Sequence, residues 1–173
     1  TFHHDRINTL LQNNPATLIL LEYHGDFGPF DDPIYHQNPL DHIYRNQIYG
    51  WTAYPRVAID GNHYSGHPTN IDQAMIDNRA AIPAPFEINI EHRINNSGEI
   101  NISAKIKATD TVSGSLFANL AIVEKKIPFD LAFINGMTEY HYVLKKLIPD
   151  QYGTTLPSSF MPGDSVVINE SSL

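Results

Sequence analysis

Apolar positions change their period once along this chain, near residue 83. Before it they fall in helical stripes and one solid run; after it they alternate with polar residues. Ile7, Leu10 and Leu11 stand at i, i+3 and i+4, which predicts an amphipathic helix over residues 5–14 that Pro15 stops. Residues 16–23 are apolar on both faces, the pattern of a central parallel strand covered by helices on each side. Residues 24–40 carry Gly25, Gly28, Pro29, Pro33 and Pro39 and read as a long aromatic-studded loop. Asp41 is the expected cap of a helix to about Tyr49, packed through Ile43, Ile48 and its tyrosines, with Gly50 as its C-terminal cap. Tyr54-Pro55 then heads an apolar strand, Val57 to Ile59, and the turn Asp60-Gly61-Asn62 returns it as a hairpin through His63 and Tyr64. An X-Pro bond tolerates the cis form there, because the trans preference is only about 0.5–1 kcal/mol. Thr69 or Asn70 is the expected cap of a last helix with the stripe Ile71, Ala74, Met75, Asn78 and Ile82.

Beyond Pro83 the period is two. Phe86, Ile88, Ile90 and Ile94 alternate, as do Ile100, Ile102, Ala104 and Ile106, with a hairpin turn at residues 95–98 between them. Leu116, Ala118, Leu120 and Ile122 give a third strand, residues 140–148 a fourth after a loop around Pro128 and Gly136, and residues 165–169 a fifth. Strands at this spacing, without a helical stripe among them, predict an antiparallel sandwich. The expected organisation is an α/β domain over residues 1–82 followed by an all-β, immunoglobulin-like sandwich over residues 83–173.

Composition narrows the function. A formal charge of −8 without an offsetting basic run excludes nucleic acid and anionic membrane surfaces as natural partners. No apolar run approaches the length of a membrane helix. The chain begins at Thr1 and shows no signal peptide, so it reads as a processed or trimmed product. It holds no cysteine, hence no disulfide, thiolate nucleophile or sulfur-ligated metal of its own.

Candidate chemistry is sparse. Trp51 and Tyr49 can wall a groove at the Tyr54-Pro55 step or serve in packing. Nine histidines invite a metal, but His63 and His67 lie four apart in a Gly-Pro loop rather than on a helix, where that spacing would share one face. His3, His4 and His24 gather near one edge without a ligand pattern, so no metal or other cofactor is expected. Asp26, Asp31 and Asp32 lack the alternating ligands and closing Glu of a calcium loop. The adjacent Asp31-Asp32 pair carries no glycosidase geometry. Asp26-Phe27-Gly28 matches a kinase tripeptide without its companions, and no Gly-x-Ser-x-Gly is present. Asn95, Asn101 and Asn169 open Asn-x-Ser/Thr triplets at the rate an asparagine-rich chain yields them. Glu22 lies on the apolar run; it is either a proton shuttle or, as the favoured reading, the surface-facing end of a strand.

The order helix, strand, helix, strand, hairpin strand, helix resembles the thioredoxin core without its first strand and redox motif. Three stretches, residues 18–25 (Leu-Ile-Leu-Leu-Glu-Tyr-His-Gly), residues 49–61 and residues 140–145 (Tyr-His-Tyr-Val-Leu-Lys), are similar to the thioredoxin-like outer-membrane lipoproteins of bacteria. In that group an immunoglobulin-like sandwich follows the thioredoxin domain. The resemblance implies a thiol-disulfide isomerase-like protein of the cell envelope, periplasmic or at the outer-membrane surface, with a protein or peptide partner. It implies that Pro55 lines the substrate groove with Tyr54 and Trp51, and that the Cys-x-x-Cys lies upstream of Thr1, where His3 or His4 tunes the thiol. No residue of this chain is then catalytic by itself. The alternative is a redox-dead module of the same two domains that binds or adheres at the cell surface.

Overall fold

Helix α1 (Phe2–Asn13) is anchored by its polar side chains as well as by its apolar stripe. Arg6 Nε donates to Ile71 O at 2.7 Å, and the Asn14 and Gln73 amides exchange hydrogen bonds of 2.9 and 2.8 Å. The computed structural model describes residues 2–26, 32–61, 63–128 and 139–173. Gly28, Pro29, Asp31, Asn62 and Gly136, which the sequence placed in loops and turns, lie outside the described residues, as does the side chain of His3.

After α1 come α2 (Pro39–Tyr49), the hairpin strands β1 (Val57–Ile59) and β2 (Tyr64–Gly66), and α3 (Gln73–Ala80). Then follow β3 (Phe86–Ile94), β4 (Ile100–Ala108), β5 (Val112–Ser113), β6 (Phe117–Ala118), β7 (Leu120–Pro128), β8 (Glu139–Ile148), β9 (Thr154–Thr155), β10 (Ser159–Phe160) and β11 (Ser165–Ser172). The protein is therefore mixed, with three α-helices and mostly antiparallel sheets among the described residues. It divides into two compact units, Thr1–Ile82 with Val123–Lys145, and Pro83–Ile122 with Lys146–Leu173. The sequence division at residue 83 coincides with one crossing between them, whereas residues 123–145 group with the first unit.

In the first unit, β1 and β2 pair antiparallel with Val57 opposite Gly66, and Tyr54-Pro55 ahead of them is cis. Leu10, Ile71 and Ile76 form a core with Leu18, Val57 and Tyr64 against it; burying each such aliphatic side chain contributes about 1.5–3 kcal/mol. Ile34, Tyr140 and Val143 form a second cluster, flanked by Ile127.

Three expectations for this unit are corrected. Residues 16–23 are not a central strand: only Glu22 is bridged, parallel to Val143, through Glu22 N to Tyr142 O at 2.9 Å and Leu144 N to Glu22 O at 3.0 Å. Tyr142 takes φ +56° inside β8, a conformation uncommon for a non-glycine residue, and the ladder stops at this one bridge. Ile19 is consequently 87% exposed. Helix α2 starts from Asn38 with Pro39 in its first turn rather than from Asp41, and it buries Asp41 and His42 while Ile43 and Ile48 face solvent. Part of this buried polar surface has partners: Asn38 bonds Asp41, and His42 Nδ1 accepts from His24 N at 3.3 Å, while His42 Nε2 is buried without a hydrogen bond among the described residues. Helix α3 is capped by Asp72, whose side chain accepts from Met75 N at 2.9 Å, and Thr69 and Asn70 sit in a preceding 3₁₀ turn. Its buried contact is Ile76; Ala74 and Asn78 are exposed, and Ile82 is 53% exposed.

The second unit is sandwich-like. Its largest sheet has the order β11-β4-β3, antiparallel throughout, with Ile106 between Val166 and Ile88 and Ala104 between Ile168 and Ile90. Ala104, Ile106, Leu120, Ile148 and Ile168 make its core, with Phe86 and Ile102 against it. The hairpin turn at residues 95–98 closes on Asn95, whose Oδ1 accepts from Ser97 N and Glu99 N, both at 3.0 Å. The third predicted strand breaks at Asn119 into β6, which pairs with β9, and β7, which pairs with β8.

Candidate functional site

A cleft of about 1110 Å³ opens within the first unit. One wall is residues 18–24, a second is α1 through His4 and Ile7, and a third is residues 51–59. The three residues expected to line a groove, Trp51, Tyr54 and Pro55, are all on that third wall. Tyr49 stacks on Trp51 with ring centroids 4.7 Å apart, and Trp51 Nε1 donates to Ser65 Oγ at 3.1 Å, so the indole is tied to β2. Pro55 is exposed, and burial together with the neighbouring Tyr35 pushes the Tyr54 phenol above its ordinary range. Residues 18–21 opposite make no β-pair among the described residues, so their backbone lies along the apolar wall without a ladder.

At one end of the cleft the lining turns polar. His24 is 6% exposed; its Nδ1 lies 2.7 Å from Asp32 Oδ2, and its Nε2 lies 3.8 Å from Glu22 Oε1. His4 Nε2 approaches the same Glu22 oxygen at 3.7 Å. Tyr140 packs edge-on against His24 with centroids 5.0 Å apart and against His4 at 6.2 Å. Behind them His42 is 1% exposed, its ring 6.2 Å from that of His24.

These surroundings separate the carboxyl groups. Burial raises Glu22 from 4.5 to about 7, and the pull of His24 offsets only part of that rise. Asp32 is pushed up by burial too, but hydrogen bonds from the His24 ring and from the Ile34 and Tyr35 amides outweigh it and hold the carboxyl below its ordinary value. Burial, reinforced by His24, lowers His42 to about 4. A carboxyl that titrates near neutrality beside two imidazoles can take or give a proton at the cleft, which is the chemistry of a general acid–base group. The reading of Glu22 as a surface-facing strand end is thus corrected, since its side chain is only 17% exposed and faces two histidines.

Other candidates stay apart. His67 Nδ1 is engaged with Thr69 Oγ1 at 2.7 Å, and His63 is exposed on the hairpin turn. No group of three His, Cys, Asp or Glu side chains among the described residues is arranged to hold a metal ion. Asp26 is exposed, and its supposed partners Gly28 and Asp31 lie outside the described residues. Sequence reasoning passed over His42 and Tyr140, and it weighed Asp32 only as a calcium or glycosidase carboxylate. The available signal was Glu22 and His24 two apart on one extended segment, which aims both side chains to one face.

Among the described residues, no helix is long and apolar enough to cross a membrane. Comparison with protein-family models, with curated proteins and with solved structures gives no match for this chain.

Proposed function

We propose that this chain supplies the peptide-binding cleft and proton relay of a thioredoxin-like thiol-disulfide isomerase of the bacterial cell envelope, with its redox cysteines contributed by residues upstream of Thr1. The observation that carries this reading is the Glu22 carboxyl, raised to about 7 in the polar end of a cleft whose other walls are apolar and aromatic. A thiol and a thiolate interchange at each step of disulfide exchange, and a neighbouring group titrating near neutrality serves that proton. The unladdered backbone of residues 18–21 fits an extended peptide bound by main-chain hydrogen bonds, and Trp51, Tyr54 and Pro55 would line its path. The Tyr54-Pro55 step ahead of β1, on the cleft's third wall, supports Pro55 as the groove proline of this reading.

A second reading is favoured by the absence of cysteine from all 173 residues: the same cleft binds an extended segment at the cell surface without redox chemistry. Two measurements test and separate the readings. Trp51 is the single tryptophan, so its fluorescence should respond when an unfolded peptide is titrated into the chain, and no saturable response rejects both readings. Insulin reduction by the full-length protein, including its residues before Thr1, then discriminates. Turnover supports the isomerase; its absence with peptide binding intact leaves the binding module.

A further inference from the structure

Strand β3 is an edge of the sheet β11-β4-β3 and has no second neighbour among the described residues. It is nine residues long, and its core-side face is apolar yet open, with Ile88 57%, Ile90 58% and Ile94 63% exposed. An open backbone edge carrying a bare apolar face is a template for another strand. The hydrogen bonds that frame β3 fix which of its residues are available. Thr109 N donates to Pro85 O at 2.9 Å and Asn95 N donates to Glu99 O at 3.0 Å, so the odd-numbered residues turn their backbone groups to β4. The even-numbered Phe86, Ile88, Ile90, His92 and Ile94 therefore turn theirs outward, and they carry the apolar face. The odd-numbered Glu87, Asn89, Glu91 and Arg93 project from the opposite face and are exposed.

We infer that β3 is a dimerisation edge whose occupant is β3 of a second copy of this chain, antiparallel about a two-fold axis at Ile90. Outward-turned residues must meet outward-turned residues, which removes every register that pairs even with odd positions. Of those left, the one centred on Ile90 overlaps all nine residues. It sets Glu87 opposite the partner's Arg93 twice over, Phe86 opposite the partner's Ile94, and Ile88 opposite the partner's His92. The charged pairs then fall at the non-hydrogen-bonded positions, where side chains approach closest. Centring on Asn89 would set Glu87 against the partner's Glu91, and centring on Glu91 would set that residue against its own copy. Centring on His92 also sets Glu91 opposite the partner's Arg93 twice but overlaps only residues 90–94, so overlap and charge together select the Ile90 register, and the self-complementary patch is what a two-fold interface requires. The product is a continuous sheet of order β11-β4-β3-β3-β4-β11 in which the two open apolar faces adjoin.

Sedimentation equilibrium of the intact chain over a micromolar to sub-millimolar range tests this. The wild type should show a monomer–dimer equilibrium, and Ile90→Lys, which sets two ammonium groups at the axis, should be monomeric. Glu87→Arg and Arg93→Glu should each raise the dimer dissociation constant about tenfold, because two attractive cross-strand pairs become repulsive. The double variant Glu87→Arg/Arg93→Glu should return it to within about threefold of wild type, since the pairs are restored with their signs exchanged. Because both residues are exposed, all three charge variants should keep the wild-type circular dichroism spectrum. A wild type that stays monomeric throughout overturns the proposal, as another strand or partner would then own this edge. So does a dimer that ignores Ile90→Lys, or charge variants whose single and double forms dissociate alike.

Discussion

Replacing Glu22 by Gln removes a titration without removing the side chain's bulk, and the structure sets the size of the effect. Relative to an unfolded carboxyl at 4.5, a folded one at about 7 holds its proton more tightly. The stabilisation is fully present below pH 4.5 and is lost as pH rises through 7. At about 1.4 kcal/mol for each tenfold change in affinity, the whole loss is about 3.5 kcal/mol, of which about 2.5 kcal/mol falls between pH 5 and pH 8. Urea melts of wild type and Glu22→Gln, followed by far-ultraviolet circular dichroism at about half-unit intervals of pH, give the stability difference directly. That difference should tilt toward the variant by about 2.5 kcal/mol from pH 5 to pH 8. Contributions common to both proteins, including the opposite trend of His42, cancel in the subtraction. Parallel curves that differ by less than about 0.5 kcal/mol in slope over this range would falsify the placement of Glu22 as a buried carboxyl.

Two further outcomes follow from burial. His42, lowered from 6.5 to about 4, should remain neutral by nuclear magnetic resonance titration until well below pH 6; its share of stability is present above 6.5 and drains away as pH falls through 4, so an imidazole that protonates near 6.5 in the folded chain contradicts the burial. Leu144, 1% exposed in β8, should cost about 3 kcal/mol when cut to Ala, read as a shift in the urea midpoint with unchanged m-value; a cost below about 1 kcal/mol would mean that the site collapses freely.

Where local chemistry decides, the fold was readable from the sequence. The Asn95 turn, the alternation of β3 and β4 and the Gly50 cap at φ +61° are local events, and each sits where its residues predicted. Long-range pairing was not readable in this way. An apolar run such as residues 16–23 satisfies the pattern of a buried strand whether or not neighbours supply a ladder, and here only Glu22 finds one. Helix α2 misled for a related reason: its apolar residues suggested the buried face, but hydrogen-bond partners, Asn38 to Asp41 and the His24 amide to His42 Nδ1, draw the polar face inward instead. Pro55, Tyr54 and Trp51 were found as a group because they lie within five residues of one another. The Glu22, His24 and Asp32 cluster spans a loop, and His4 and Tyr140 reach it from distant parts of the chain, so only the folded backbone assembles it.

The first unit is discontinuous, since Val123–Lys145 returns to it after the chain has left at Ile82. During synthesis, the ribosome will have delivered all of α1 to α3 and most of the sandwich before Val143 emerges to meet Glu22. The cleft therefore cannot close its Tyr140 side on the nascent amino-terminal half alone. Its completion waits for a segment made some sixty residues later than α3.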